Sequence, residues 1–165
     1  AAHLAGERWV RRAGANGFDC PCGENHWGVH GAAGLLPWYR DSAGMDWFLL
    51  QQRGRGDHPG TWGLLGGARE PLEPAEHAAA REAWEEGGLD PAAYTVLGSF
   101  LDDHGGWGFT TVFAGVGSRD IYFRPNRETS RLEWIRRDWV HTLNLHPGLA
   151  ATWNELMRVF LGRFT

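Results

Sequence analysis

The sequence contains no lysine; all sixteen of its basic residues are arginine, and 20 acidic residues leave a formal net charge of −4. Phosphate contacts dominate the binding of long nucleic acids, so a weakly acidic chain is poorly suited to that role. A small nucleotide is not excluded, because a bound cation can supply the missing positive charge. Cysteine is nearly absent. Cys20 and Cys22 are the whole complement, which excludes a disulfide-stapled secreted scaffold. Long hydrophobic runs are absent as well. Stretches such as Gly31–Tyr39 are short and broken by Gly and Pro, far from the roughly 20 apolar residues of a membrane-spanning helix. Ala1–Val10 has no apolar stretch adequate for a signal peptide. Cytoplasmic residence without membrane association is therefore expected. There is no internal repeat and no low-complexity segment.

What remains is 165 residues, 42% of them hydrophobic, enough for one domain with a real core. Ten tryptophans stand out; most are expected as core anchors and a few as stacking surfaces. Residues 1–28 read as an irregular N-terminal extension, and residues 29–165 as the folded domain. Within the extension, Cys20-Pro-Cys22, His26 and the nearby His30 raise the question of zinc. The one-residue cysteine spacing departs from the usual Cys-x-x-Cys knuckle, and no structural metal is expected there.

Alternation and turn residues predict strands over Gly31–Tyr39 and Asp46–Gln52, separated by a turn at Asp41–Gly44. Arg53–Gly60 reads as a Gly-rich polar loop. A short apolar piece, Thr61–Leu65, is expected to break at Gly66-Gly67. Pro74–Gly87 reads as a helix, with Pro in its first turn, an alanine-rich body and Gly87-Gly88 at its end. Tyr94–Leu101, Thr110–Val116 and Leu132–Ile135 read as strands, with a Gly-rich loop at Asp102–Gly108. Pro147–Leu161 closes the chain as a helix, with Trp153, Leu156, Met157 and Phe160 at helical spacing. Strands interrupted by two helices imply a mixed α/β domain.

Chemistry concentrates in residues 67–89. Glu82, Glu85 and Glu86 stand at i, i+3 and i+4, so they share one helix face at about 100° per residue. Like charges so placed repel, and a hard cation such as Mg²⁺ or Mn²⁺ would turn that cost into binding. Arg81 lies four residues before Glu85 and can brace it. A lone Glu-x-x-Glu-Glu triplet is usually a solvated acidic face. Here Gly67, Glu73, Arg81 and Gly88 also stand at fixed offsets from it.

The whole segment resembles the Nudix box: Gly, five residues, Glu, seven residues, Arg-Glu, an aliphatic residue, any residue, Glu-Glu, any residue, Gly, an aliphatic residue. Gly67, Glu73, Arg81, Glu82, Glu85, Glu86 and Gly88 fill every fixed position, and Ala83 and Leu89 the aliphatic ones. Trp62-Gly-Leu-Leu-Gly-Gly67 resembles the family's approach to the box, although many relatives have Pro at the place of Leu65 and Gly at that of Leu72. Glu128, six residues before Trp134, resembles a MutT-like loop glutamate.

This resemblance implies an α/β (α+β Nudix) fold, a mixed β-sheet sandwiched between helices, with the box as loop–helix–loop. It implies a Mg²⁺- or Mn²⁺-dependent pyrophosphohydrolase acting on a small nucleotide-type substrate. Metal ligands would be the Gly66 carbonyl, Glu82, Glu85 and Glu86. The catalytic set would be Glu82, Glu86, Glu128 and Arg81, with Glu82 and Glu128 both open as general base. Glu70 and Glu73 lie before the helix and would fix the loop. Arg53, Arg55, Trp107 and Phe109 are the candidates for substrate contact. A MutT-like nucleoside triphosphatase, such as one acting on oxidised dGTP, is the expected activity. ADP-sugar or dinucleoside polyphosphate hydrolysis is the alternative, and a non-catalytic nucleotide sensor a further one. The oligomeric state, a homodimer included, is left open.

Overall fold

The computed structural model describes residues 7–12, 30–104 and 107–164. Cys20, Cys22 and His26, and the zinc question with them, lie outside the described residues. Among the described residues, eight strands and two long helices follow in the order β1 (Glu7–Arg12), β2 (Ala32–Arg40), β3 (Asp46–Arg53), β4 (Trp62–Gly63), β5 (Leu65–Ala68), α1 (Ala75–Gly87), β6 (Thr95–Asp103), β7 (Gly108–Gly115), β8 (Thr129–Arg136) and α2 (Pro147–Phe164). Short 3₁₀ turns occupy Pro91–Ala93 and Arg137–Thr142. No helix among the described residues is long and apolar enough to cross a membrane.

The strands form one mixed sheet in the order β1-β6-β7-β2-β3-β4, with β5 on β2 and β8 on β3. Strand β2 divides its partners. Ala32–Leu35 pair antiparallel with β5, Trp38–Arg40 pair antiparallel with β3, and β7 runs parallel along the other side. The sheet is therefore split beside β2, and the opening lies where β5 leads into α1.

Side-chain alternation sorts the core onto two faces. Ala33, Leu35 and Leu49 pack with Ala78, Ala79 and Ala83 of α1. Leu36, Phe48 and Leu50 pack with Trp153, Leu156, Met157 and Phe160 of α2. The alanines let α1 lie close to the sheet. On the other face aromatic edges fill the gap: the Phe48 ring stands 5.6 Å from Trp153 and 5.1 Å from Phe160, both edge-on. The expected sheet between helices is what forms.

Several expectations need correction. Glu7–Arg12, within the segment read as irregular, is a strand that pairs parallel with β6. The piece expected to break at Gly66-Gly67 instead continues through both glycines as β5. Its close approach to β2 explains them: a Cβ on Gly66 would lie 2.5 Å from the Ala33 carbonyl oxygen. Strand β8 starts at Thr129, three residues earlier than the predicted Leu132, because Arg131 and Thr129 pair with Gln52 and Arg53 across a register shift. Glu128 thus stands at the mouth of a strand. Phe109 belongs to β7, not to the preceding loop.

Candidate functional site

Helix α1 begins after Pro74, whose extended backbone makes it the cap. It ends because Gly88 turns left-handed at φ 64, a conformation that glycine adopts without a steric penalty. Gly88 N–H then returns to the Trp84 carbonyl and Leu89 N–H to that of Ala83, satisfying two carbonyls of the last turn. That stop places Glu82, Glu85 and Glu86 in the last two turns.

Glu86 is buried at 5% exposure, a carboxyl surrounded by protein. Burial pushes it up to about 8, the Glu82 charge adds to this and the Glu128 charge adds less. Hydrogen bonds from the Gln51 side chain and the Gly66 backbone pull the other way. Burial also raises Glu82, against the pull of Arg81. Glu82 lies over the glycines of β5: a Cβ on Gly67 would meet its Oε1 at 2.7 Å. Glu85 is half exposed. Glu128 is exposed, on a loop stitched down by Gly54 N–H to its carbonyl at 2.8 Å and by Asn126 N–H to the Glu86 carbonyl at 3.0 Å.

Beside this acidic group stands a basic clasp. Arg81 Nε and Nη2 donate to the two oxygens of Glu73 at 2.9 and 3.0 Å, and Nη1 reaches Glu82 at 3.1 Å and Glu85 at 3.4 Å. Glu73 also accepts from the Glu70 backbone N–H at 2.9 Å and contacts His77 Nδ1 at 2.8 Å. The Arg81 hydrogen bond holds the Glu73 carboxyl down to about 2 despite its burial. Arg69 donates twice to the Glu73 carbonyl. Glu73 is thus the hub that ties the loop to the helix.

The structure brings together Gly66, Arg81, Glu82, Glu85, Glu86 and Glu128. The substrate candidates are more dispersed. Arg53 donates to the Asp57 carbonyl at 2.6 Å within its own loop, and Arg55 is exposed. Trp107 stands edge-on to His104 at 5.8 Å. The Phe109 ring is half-buried against Gly34, where a Cβ would meet it at 3.0 Å.

Two groups were not anticipated. Gln51 reaches Glu86 from β3; its only sequence signal is a polar side chain in an apolar strand. The second group is Asp57, His58 and His146, whose possible ligand atoms lie within 4.8 Å of one another. His58 Nδ1 is 2.5 Å from Asp57 Oδ1, and His146 Nε2 is 3.1 Å from Oδ2. Gly148 N–H donates to His146 Nδ1 at 3.1 Å, so the ring proton sits on Nε2 and points at Asp57. This is the bonding of a clasp between the β3–β4 loop and the start of α2. Burial works to raise Asp57, but hydrogen bonds from both histidines overcome it and lower its pKa.

The NUDIX domain family model matches residues 29–156. A protein of Mycobacterium tuberculosis, provisionally named 8-oxo-dGTP diphosphatase 3, is 40% identical over 156 residues, 89% of this chain and 70% of that protein. A crystal structure of a Nudix hydrolase from M. smegmatis is similar at a TM-score of 0.78 and 39% identity, covering 85% of this chain and 91% of that one. An Ap4A hydrolase from C. elegans shares the fold at a TM-score of 0.63 and 21% identity, over 79% of this chain and 98% of that one.

Proposed function

The chain belongs to the NUDIX domain family and is a Nudix hydrolase, and from that premise we propose that it hydrolyses a nucleoside triphosphate, oxidised dGTP foremost, to the monophosphate and pyrophosphate with a divalent cation. One observation carries the reading: a carboxyl group only 5% exposed, Glu86, faces the charges of Glu82 and Glu128 beside Gly66 and Gly67 of β5. Such a group is costly unless something positive joins it. Its donors are all oxygen, the set that suits Mg²⁺ or Mn²⁺. Glu82, Glu85, Glu86 and the Gly66 carbonyl would hold the ion. A divalent ion there supplies charge against the diphosphate and against the negative charge that builds on the leaving oxygen.

The chain's own residues do the rest. Glu82 or Glu128 accepts the proton of the attacking water as its oxygen bonds to phosphorus, and the anhydride P–O bond breaks. Arg81, fixed by Glu73, holds Glu82 and Glu85 in place. Arg53, Arg55, Trp107 and Phe109 are assigned to substrate contact. The name of the M. tuberculosis relative, at 40% identity over 89% of this chain, supports oxidised dGTP over an ADP-sugar or a dinucleoside polyphosphate.

The test is a panel of all three classes with Mg²⁺ or Mn²⁺. Release of monophosphate and pyrophosphate from oxidised dGTP is expected at the highest kcat/KM. Glu86→Gln should lower kcat by roughly 100-fold or more while the fold survives. Wild-type turnover on none of the panel, or a Glu86→Gln rate equal to wild type, would defeat the assignment.

A further inference from the structure

Gln51 has one side chain and three engagements, all out of water at 1% exposure. Its Nε2 donates to the Leu64 carbonyl at 2.7 Å and, at the longer distance of 3.4 Å, to Glu86 Oε1. Its Oε1 accepts from the Thr129 hydroxyl at 2.6 Å. Thr129 is buried as well, at 5% exposure. Strand alternation explains the direction. Leu49, two residues earlier, faces α1, so Gln51 points to the same side and meets the end of that helix.

The amide has one workable orientation. Turned over, its carbonyl oxygen would face the Leu64 carbonyl at 2.7 Å, two acceptors with no proton between them. Burial denies water as a remedy. With the amide so turned, the Thr129 hydroxyl donates to its oxygen at 2.6 Å. An N–H is thereby aimed at Glu86 from a side chain that cannot rotate away.

We propose that Gln51, locked by Thr129, is a positioning residue that presents the Glu86 carboxylate to the cation. The inference rests on the reading of Glu86 as a cation ligand. Gln51 does not touch substrate or ion in this role. It steadies one oxygen of Glu86 and offsets part of the cost of an ionised group in a buried place. Thr129 adds a link to the loop glutamate, since it follows Glu128 directly and its backbone N–H bonds to Asn126. One hydrogen-bonded chain from Thr129 through Gln51 to Glu86 thus ties β8 and β3 to the end of α1.

The test reads the cation directly, without turnover. Mn²⁺ binding to the substrate-free full chain is followed by the electron paramagnetic resonance of the free ion. Gln51→Leu and Thr129→Val should each raise the Mn²⁺ dissociation constant roughly tenfold, the range seen when groups behind metal ligands are removed. Thr129→Ser keeps the hydroxyl and should restore affinity to within about twofold of wild type, since the hydrogen bond to Gln51 survives. Should Gln51→Leu fail to fold, the Thr129 pair decides alone. Unchanged Mn²⁺ affinity in folded Gln51→Leu or Thr129→Val overturns the inference, even if the melting temperature falls, because the network is then only structural. Wild type that binds no Mn²⁺ overturns the cation reading and this inference with it. Equal binding by wild type and variants leaves the cation reading standing and removes only the role of Gln51.

Discussion

Leu72 is fully exposed and sits at φ 62, where a side chain meets its own backbone. The resemblance to the Nudix box implies Gly at that place, and the geometry gives a reason. The left-handed conformation costs a non-glycine residue about 1–2 kcal/mol. The extra entropy of an unfolded Gly returns part of that. Leu72→Gly should therefore stabilise the protein by about 0.5–1 kcal/mol, read as a higher urea midpoint with an unchanged slope. No gain, or a loss, would mean that Leu72 makes a contact outweighing its strain. Gly67 presents the opposite case. A Cβ there would crowd Glu82 Oε1 at 2.7 Å and its Cδ at 2.8 Å. Gly67→Ala should lower kcat roughly tenfold or more by displacing that carboxylate, with circular dichroism unchanged. Retained activity would show that Glu82 moves aside at no cost. The identities of these residues were legible in the sequence as box positions and departures from them. Their strain was not, because it depends on where β5 and α1 meet in space.

Among the elements, the loop from Arg69 to Glu73 and helix α1 form one unit through Glu73. Spacing alone shows Glu73 before the helix. It does not show that the side chain bends back to accept from Arg81, Glu70 and His77 together. The effect on stability has a definite sign. Glu73 is held down to about 2 from an ordinary 4.5, chiefly by Arg81. A carboxyl with a depressed folded pKa contributes stability that is fully present above its unfolded pKa and lost as pH falls through the folded one. The contribution should therefore be constant above about pH 5 and vanish between 4.5 and 2. Discounted for the partial exposure of Arg81, it is on the order of 2 kcal/mol. Glu73→Gln should lower the unfolding free energy by that amount at pH 7, and the difference from wild type should shrink below pH 4. A difference independent of pH would assign the loss to shape and not to charge. Strand β5 gives a second case at this scale. Gly-Gly signals a break along the chain, yet here it is what allows a strand to lie against β2.

At the scale of the molecule, the sandwich of a sheet between two helices follows from periodicities visible in the sequence. The parallel pairings of β2 with β7 and β1 with β6 do not, since they join segments far apart in the chain. The acidic group depends on such long-range placement. Glu82, Glu85 and Glu86 come from α1, Gln51 from β3, and Glu128 from the loop before β8. A cation bound among them holds together elements that separate when the protein unfolds. Ligand bound only by the folded state adds RT ln(1 + [L]/Kd), about 1.4 kcal/mol when the free ion is tenfold above its dissociation constant. For a domain of this size that corresponds to roughly 3–6 °C in melting temperature. Mn²⁺ at that excess should raise the melting temperature of wild type by this amount, and a chelator should reverse it. Glu86→Gln should melt at the same temperature with and without the ion. A full Mn²⁺ shift in Glu86→Gln would place the ion elsewhere, and the Asp57–His58–His146 clasp, tested by His146→Ala, would be the next group to examine.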